Sequence, residues 1–343
     1  IKSCNKNLKG STIYVSLEPC THYGKTPPCS NLIIKSKIKK VIFSIIDVDK
    51  RTSGKSLRLF KSKNILVTGG AGFVGTNLIK RLLSLGANVT ATLYETIPLE
   101  KNNDVKYVKC DLRIPEDCRK VCENIDFVFM CAANTSGAKV MAKTPLVHLT
   151  PNILMNMNML EASYELGIKK FLFMSSNTVY PLTDYPVKEN DVTNEFYESY
   201  HIVAWMKRFT EIVCDMYTSK IKKPMKTIVV RPGNLYGPHD KFDWEKSKVI
   251  PALIRRAIEK HDPFQIWGDG KDLKDFLYIE DYIDAMLIAI EKLDDNQPLN
   301  IASGLPITIK EVLEEILILE TLQILLRKKL IYAKELFKKK ICL

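Results

Sequence analysis

No stretch of the 343 residues approaches the roughly 18–20 uncharged apolar residues that cross a bilayer. There is no secretory signal either, although the chain opens at Ile1 rather than methionine, so a missing start stays open. Nine cysteines make an odd number, and they lack the dense spacing of a small secreted disulfide framework. Reduced thiols and a cytoplasmic setting are therefore expected. Acidic residues are scarce at both ends. Residues 1–63 carry 14 Lys/Arg against 3 Asp/Glu, and residues 321–343 carry 7 against 1. The net charge of +12 thus belongs to the ends, and the body between them is mildly acidic. Basic ends without groove-reading or aromatic elements are solvated tails, so neither nucleic acid nor a membrane is expected as a partner.

The chain is organised around Asn64–Gly75, NILVTGGAGFVG. Ile65, Leu66 and Val67 form a short apolar run, followed by Thr68 and by Gly69, Gly72 and Gly75 at three-residue spacing. Phe73 to Leu83 then repeats apolar residues at helical spacing until Gly86. A strand, a tight glycine turn and a helix are predicted. Such a turn lets backbone N–H groups approach a pyrophosphate, with the helix N-terminus supplying partial positive charge. A ligand-free glycine loop is the plainer reading, but the strand-to-helix setting favours a dinucleotide.

Strand and helix signals alternate from there. Asn88–Leu93, Val105–Cys110, Asp126–Cys131, Lys170–Ser175 and Lys226–Val230 read as strands, and Pro145–Gly167 as a long helix. The expected fold class is α/β, a Rossmann-type doubly wound parallel sheet with ligands at the carboxyl ends of its strands. Shorter signals, Asn234–Asp240, Val249–Lys260, Phe264–Gly270 and Phe276–Glu291, predict a small C-terminal substrate lobe, mainly 232–298. Cys118 and Cys122 read as buried thiols on a helix. Three regions are expected: 1–60, 61–320 and a basic tail, 321–343.

Residues 1–60 differ in character. Ser11–Leu17 and Lys40–Ile46 read as strands, with a helical stretch around Ser30–Ser36. Cys20 and Cys29, nine apart, suit two zinc thiolates, the second opening a helix; two structural thiols fit that spacing equally well. YVSLEPCTHYGKTPPCSNLII, followed by IKKVIFSIIDVDKRTSGKS, resembles the zinc half of the pyrimidine deaminase of riboflavin biosynthesis. The resemblance implies that Cys20 and Cys29 are metal ligands. No residue matches that family's His-x-Glu pair, and neither Glu18 nor His22 replaces it. The segment therefore reads as a truncated deaminase-like fragment of a cytidine-deaminase-like α/β fold.

Asn64 to Glu320 resembles the extended short-chain dehydrogenase/reductase superfamily, the NAD-dependent epimerase/dehydratases. The motifs are TGGAGFVG, Cys110-Asp111-Leu112, Cys131-Ala132-Ala133, FMSSNTVYP, RPGNLYGPHD and FLYIEDYIDA. AANTSGA, LYGPHDKF and SKVIPALIRR are most similar to the GDP-L-fucose synthase subfamily. The resemblance implies an enzyme that transfers hydride with NAD or NADP on a nucleotide-linked keto-deoxy sugar, and a homodimer through two long helices. Gly69, Gly72, Phe73, Val74 and Gly75 would cradle the pyrophosphate. Asp111 would accept from the adenine amino group, Leu112 would pack on the ring, and Ala132 and Ala133 would let the cofactor approach. Ser176 would hydrogen-bond the sugar carbonyl, and Lys207 would bind the nicotinamide ribose. Thr178, Asn234, His239, Lys248 and Lys274 would face the nucleotide-sugar.

Four departures accompany these matches. The family's Tyr-x-x-x-Lys pair is not intact: Val203 stands four residues before Lys207, and Tyr200 stands seven before it. Tyr200 can still donate a proton if it lies just ahead of the helix. Thr178 and Lys248 occupy the places of the subfamily's acid–base cysteine and histidine, and a lysine there needs a depressed pKa to act as base. Lys274 replaces an arginine. Leu93 stands where an acidic residue would bind the ribose diol, Glu95 comes two residues late, and no arginine is nearby in sequence. The sequence therefore leaves NAD and NADP undecided. A catalytically silent binding protein and a deaminase remnant are the alternative readings.

Overall fold

The computed structural model describes residues 12–17 and 40–45 as backbone, and 59–98, 101–134, 144, 146–244, 247–266, 268–293 and 297–319 more fully. Cys20, Cys29, the stretch around Ser30–Ser36 and the basic tail lie outside the described residues. β1 (Thr12–Leu17) and β2 (Lys40–Ile45) pair in parallel as a two-stranded sheet.

The main sheet begins at β3 (Asn64–Val67), which leads into α1 (Phe73–Ser84). It continues with β4 (Asn88–Leu93), β5 (Val105–Lys109), α2 (Pro115–Cys122) and β6 (Phe127–Met130). Then come α3 (Leu146–Glu165), β7 (Lys170–Met174), α4 (His201–Asp215) and β8 (Lys226–Pro232). β9 (Asn234–Tyr236), α5 (Val249–Ile258), β10 (Leu273–Tyr278), α6 (Ile279–Lys292), β11 (Leu299–Ile301) and β12 (Pro306–Thr308) follow, and residues 309–319 are helical.

Seven strands lie in the order β11-β8-β7-β6-β3-β4-β5, and every pairing is parallel. A sheet of this kind is buried on both faces, which explains the nearly continuous apolar strands. Ile65, Val67, Phe127, Phe129 and Leu172 face one core, shared with Leu78 of α1 and Met286 of α6. Leu66, Val128, Met130, Phe171 and Phe173 face the other, shared with Met159 of α3 and Cys118 and Cys122 of α2. The two-residue period of a strand sends neighbours to opposite cores. The order reverses between β3 and β6, so the crevice of a doubly wound sheet opens at their carboxyl ends.

Two features differ from the sequence reading. The region 264–270, expected to carry an element, forms none among its described residues. β9, β10 and β12 instead make a separate three-stranded sheet, and β11 returns to the edge of the main sheet. Three-residue strands carry too little periodicity to be read locally; their partners in space define them.

Candidate functional site

The glycine turn closes over the end of β6. Thr68 Oγ1 accepts from the N–H groups of Cys131 (3.0 Å) and Ala132 (2.9 Å), which draws Ala132 against Gly69. Gly69 has φ +67°, and a Cβ there would stand 2.9 Å from Ala132 Cα. A Cβ on Gly75 would lie 2.3 Å from the Gly69 carbonyl oxygen, so α1 packs on the turn only because that position is bare. Gly72 caps α1 without a side-chain hydrogen bond, and the first turn holds no acidic residue. The N–H groups of Phe73, Val74 and Gly75 therefore have no intrahelical acceptor and face outward where an anion fits. Ala132 is half-buried and Ala133 exposed beside this cradle.

At the adjoining strand ends, Gly69 N–H donates to Thr92 Oγ1 (3.0 Å) and Gly70 N–H to Thr92 O (2.9 Å). Cys110 N–H donates to Leu93 O (2.9 Å), joining β5 to the end of β4. Leu112 is buried, and both oxygens of Asp111 are taken by Arg113. The guanidinium holds the Asp111 carboxyl below the usual carboxylate range. Arg113 also reaches Tyr94, directly after β4. Sequence position hid this contact, because Arg113 follows a different strand.

Two strands away, Lys207 of α4 donates to the Met174 carbonyl at the end of β7 (2.7 Å), its ammonium 4.9 Å from the centre of the Phe173 ring. Burial pulls its pKa down to about 8, with Glu211 and Cys131 acting in the opposite direction. Ser176 lies two residues beyond that carbonyl, and its Oγ accepts from Thr178 Oγ1 (2.9 Å) and Thr178 N–H (3.2 Å). Tyr200 occupies the cap position of α4, at the end of a short 3-10 turn, Glu198–Tyr200. Its ring rests 5.8 Å from that of Tyr197. Val203 stands in the first turn of α4, one turn before Lys207.

From Ser175, next to Ser176, a buried polar network runs inward with no local signature in the sequence. Arg231 donates to Glu211 through Nε (2.8 Å) and Nη2 (2.7 Å), and both side chains are nearly inaccessible. Ser175 Oγ donates to Glu211 Oε1 at 2.5 Å. Tyr180 accepts from Arg231 Nη1 (2.8 Å) and donates to Asn300 Oδ1 (2.5 Å). Its phenol is thereby committed to the interior, and burial raises its pKa.

The loop after β9 brings the last group. Asn77 of α1 donates to the Pro238 carbonyl (2.9 Å), and His239, held at φ +69°, lies 2.8 Å from Lys80 Nζ. Asn234 donates to the Asp275 carbonyl (3.0 Å), joining β9 to β10. Lys274 is half-buried within β10. Lys248 caps α5 with its ammonium 5.5 Å from the Phe73 ring, so it overhangs the first residue of the cradle helix. Part of Lys248 remains at the surface, yet the protein around its ammonium lowers its pKa. Asp240 opposes that shift and Lys241 adds to it. Asp240 Oδ2 is itself buried without a hydrogen-bond partner among the described residues, and desolvation raises its pKa. The structure thus gathers Ser176, Thr178 and Lys207 at β7, and brings Lys248 to the glycine cradle. Among the described residues, no three His, Cys, Asp or Glu side chains form a group able to hold a metal, and no helix is long and apolar enough to cross a membrane.

Comparison with known proteins accords with this architecture. The NAD dependent epimerase/dehydratase family matches residues 65–302, and the chain belongs to that family. It is of the nucleotide-sugar epimerase/reductase kind within the extended short-chain dehydrogenases. The cytidine and deoxycytidylate deaminase zinc-binding region matches residues 1–45. A GDP-L-fucose synthase from Sinorhizobium fredii is 32% identical over 266 residues, covering 74% of this chain and 79% of that protein. GDP-mannose 3,5-epimerase 1 of Oryza sativa subsp. indica is 30% identical over 268 residues, covering 75% and 68%. The crystal structure of a GDP-L-fucose synthetase from Naegleria fowleri bound to NADP superposes with a TM-score of 0.63 at 25% identity, covering 75% of this chain and 77% of that one.

Proposed function

We propose that this family member is an NAD(P)-dependent epimerase or reductase acting on a GDP-linked keto-deoxy sugar. The observation that carries the reading is the anchoring of Lys207 on the Met174 carbonyl, next to Ser176 and two strands from a glycine cradle with open N–H groups. A bound nicotinamide would supply hydride to the sugar or withdraw it. The cradle N–H groups hold the pyrophosphate, and Lys207 binds the nicotinamide ribose. Ser176 hydrogen-bonds the reacting carbonyl, while Tyr200, ahead of α4, donates the proton. Lys248, with its lowered pKa, is the group that exchanges protons on sugar carbon, and Thr178, Asn234, His239 and Lys274 hold the nucleotide-sugar. Exposed Trp205, Phe209, Ile212 and Met216, along and just beyond α4, supply the homodimer face.

The test is to add a GDP-4-keto-6-deoxy sugar to the purified chain carrying NADPH and follow nicotinamide absorbance. Oxidation of the cofactor is expected; a bound cofactor that never changes redox state with any such sugar would sink the proposal.

Val203 favours a second reading, a protein that binds cofactor and sugar but does not turn them over. Activity appearing only in Val203→Tyr supports that reading, and turnover by the unaltered chain disposes of it. For residues 1–45 we propose zinc held by Cys20 and Cys29 with ligands from elsewhere. Elemental analysis of the purified chain decides this, since zinc-free protein removes the proposal.

A further inference from the structure

Ser176 and Thr178 lie just past the carboxyl end of β7, and both are half-buried. Ser176 caps a single 3-10 turn, Asn177–Val179, and its Oγ accepts the Thr178 N–H at 3.2 Å. The same oxygen accepts the Thr178 hydroxyl hydrogen at 2.9 Å. A serine hydroxyl has one hydrogen and two lone pairs. Both lone pairs are occupied here, so Ser176 enters another hydrogen bond only by donating. The acceptor it meets among the described residues, Asn177 Oδ1, stands 3.4 Å away, beyond the roughly 2.5–3.0 Å of an O–H···O bond. The backbone that carries Ser176 is fixed from the other side. Ser175 Oγ donates to Glu211 at 2.5 Å and Ser175 N–H to the Val230 carbonyl at 2.8 Å, while Lys207 holds the Met174 carbonyl at 2.7 Å.

We propose that Thr178 is a positioning residue, whose hydroxyl saturates Ser176 and makes it an obligatory donor to the oxygen of the reacting sugar carbon. The proposal rests on the reaction proposed above and deepens it. When hydride reaches a carbonyl carbon, negative charge gathers on the oxygen, and a donor already aimed there stabilises it without reorienting. With a lone pair vacant, Ser176 would also accept from a sugar hydroxyl or turn its hydrogen elsewhere, and the reacting oxygen would lose its donor. The β-branch of Thr178 restricts its side chain to few rotamers, which keeps the hydroxyl on Ser176. Thr178 thus orients a donor where the subfamily's cysteine exchanges a proton. Its oxygen keeps lone pairs for a sugar hydroxyl, so binding and orientation are separable: the first belongs to KM, the second to kcat.

The experiment is steady-state kinetics of the full chain with NADPH and a GDP-4-keto-6-deoxy sugar, with single-turnover oxidation of the nicotinamide to isolate hydride transfer. Ser176→Ala should lower kcat about 100-fold, the loss of one donor to the developing charge. Thr178→Val keeps the shape without the hydroxyl and should lower kcat about 10-fold, the worth of one hydrogen bond. Thr178→Ala serves in its place if that variant does not accumulate. Thr178→Ser, which restores the hydroxyl but not the β-branch, should recover most of the loss. The double variant Ser176→Ala with Thr178→Val should show the kcat of Ser176→Ala alone, because Thr178 acts through Ser176. A Thr178→Val effect confined to KM overturns the proposal, as do losses in kcat that multiply in the double variant. Those results leave the reaction standing, whereas a native chain that oxidises NADPH with no keto sugar removes the reaction and the positioning role together.

Discussion

Lys207 Nζ donates a 2.7 Å hydrogen bond to the main-chain carbonyl of Met174, and this contact seats a cation at the end of the strand that leads to Ser176. Burial lowers the pKa from its ordinary 10.5 to about 8. Below pH 8 the ammonium is charged, so cofactor affinity should be steady there and decline as pH rises past 8. Lys207→Met should lower turnover by about 100-fold and abolish that decline. The sign for stability is opposite. Between pH 8 and 10.5 the folded protein binds fewer protons than the unfolded chain, so this group's penalty fades as pH rises. Urea unfolding from pH 7 to 10 should show the native chain gaining stability relative to Lys207→Met. Parallel curves would rule out the buried charge.

Gly75 lies against the Gly69 carbonyl with no room for a methyl group. Gly75→Ala should push α1 off the turn and weaken NADPH binding more than 10-fold, about 1.4 kcal/mol. Thermal unfolding monitored with and without NADPH checks this. Stabilisation by the nucleotide equal to that of the native chain would contradict the cradle.

Glu211 and Arg231 form a bidentate pair out of reach of water. Glu211→Gln leaves a buried guanidinium without its counter-charge and should cost about 3–5 kcal/mol, read from urea unfolding. Pairing it with Arg231→Met should cost less than the two single changes together. Additive losses would mean that the pair acts independently.

Trp205, Phe209, Ile212 and Met216 recur at spacings of four, three and four, and all four are exposed. Large apolar side chains on one helical line support the homodimer face proposed above. Phe209→Asp should halve the mass measured by light scattering and leave the circular dichroism unchanged. A native chain already monomeric at high concentration would remove the dimer.

Much of the sheet was legible because its information is local. In β3 and β6 a continuous apolar run bounded by polar residues announces a strand buried on both faces. At the turn into α1, Gly69 and Gly75 are required by backbone approach within seven residues of chain. Cys118 and Cys122 were likewise readable as buried thiols, since they stand four apart on a helix and face one core. Tyr200 stands at the cap position just ahead of α4.

The short strands β11 and β12 were not legible, because three residues hold no measurable period and their partners decide them. Glu211 and Arg231 meet across 20 positions, and Arg113 meets Tyr94 across 19. Lys248 reaches Phe73 from the far side of the chain. Local composition dictated the parallel sheet, the glycine cradle and the kind of ligand they suit, since strand burial and turn sterics act between near neighbours. Which cation overhangs the glycine turn, which arginine meets Tyr94 and which carboxylate lies buried against Ser175 were settled by tertiary packing, because charge and hydrogen bonding act through space and not along the chain.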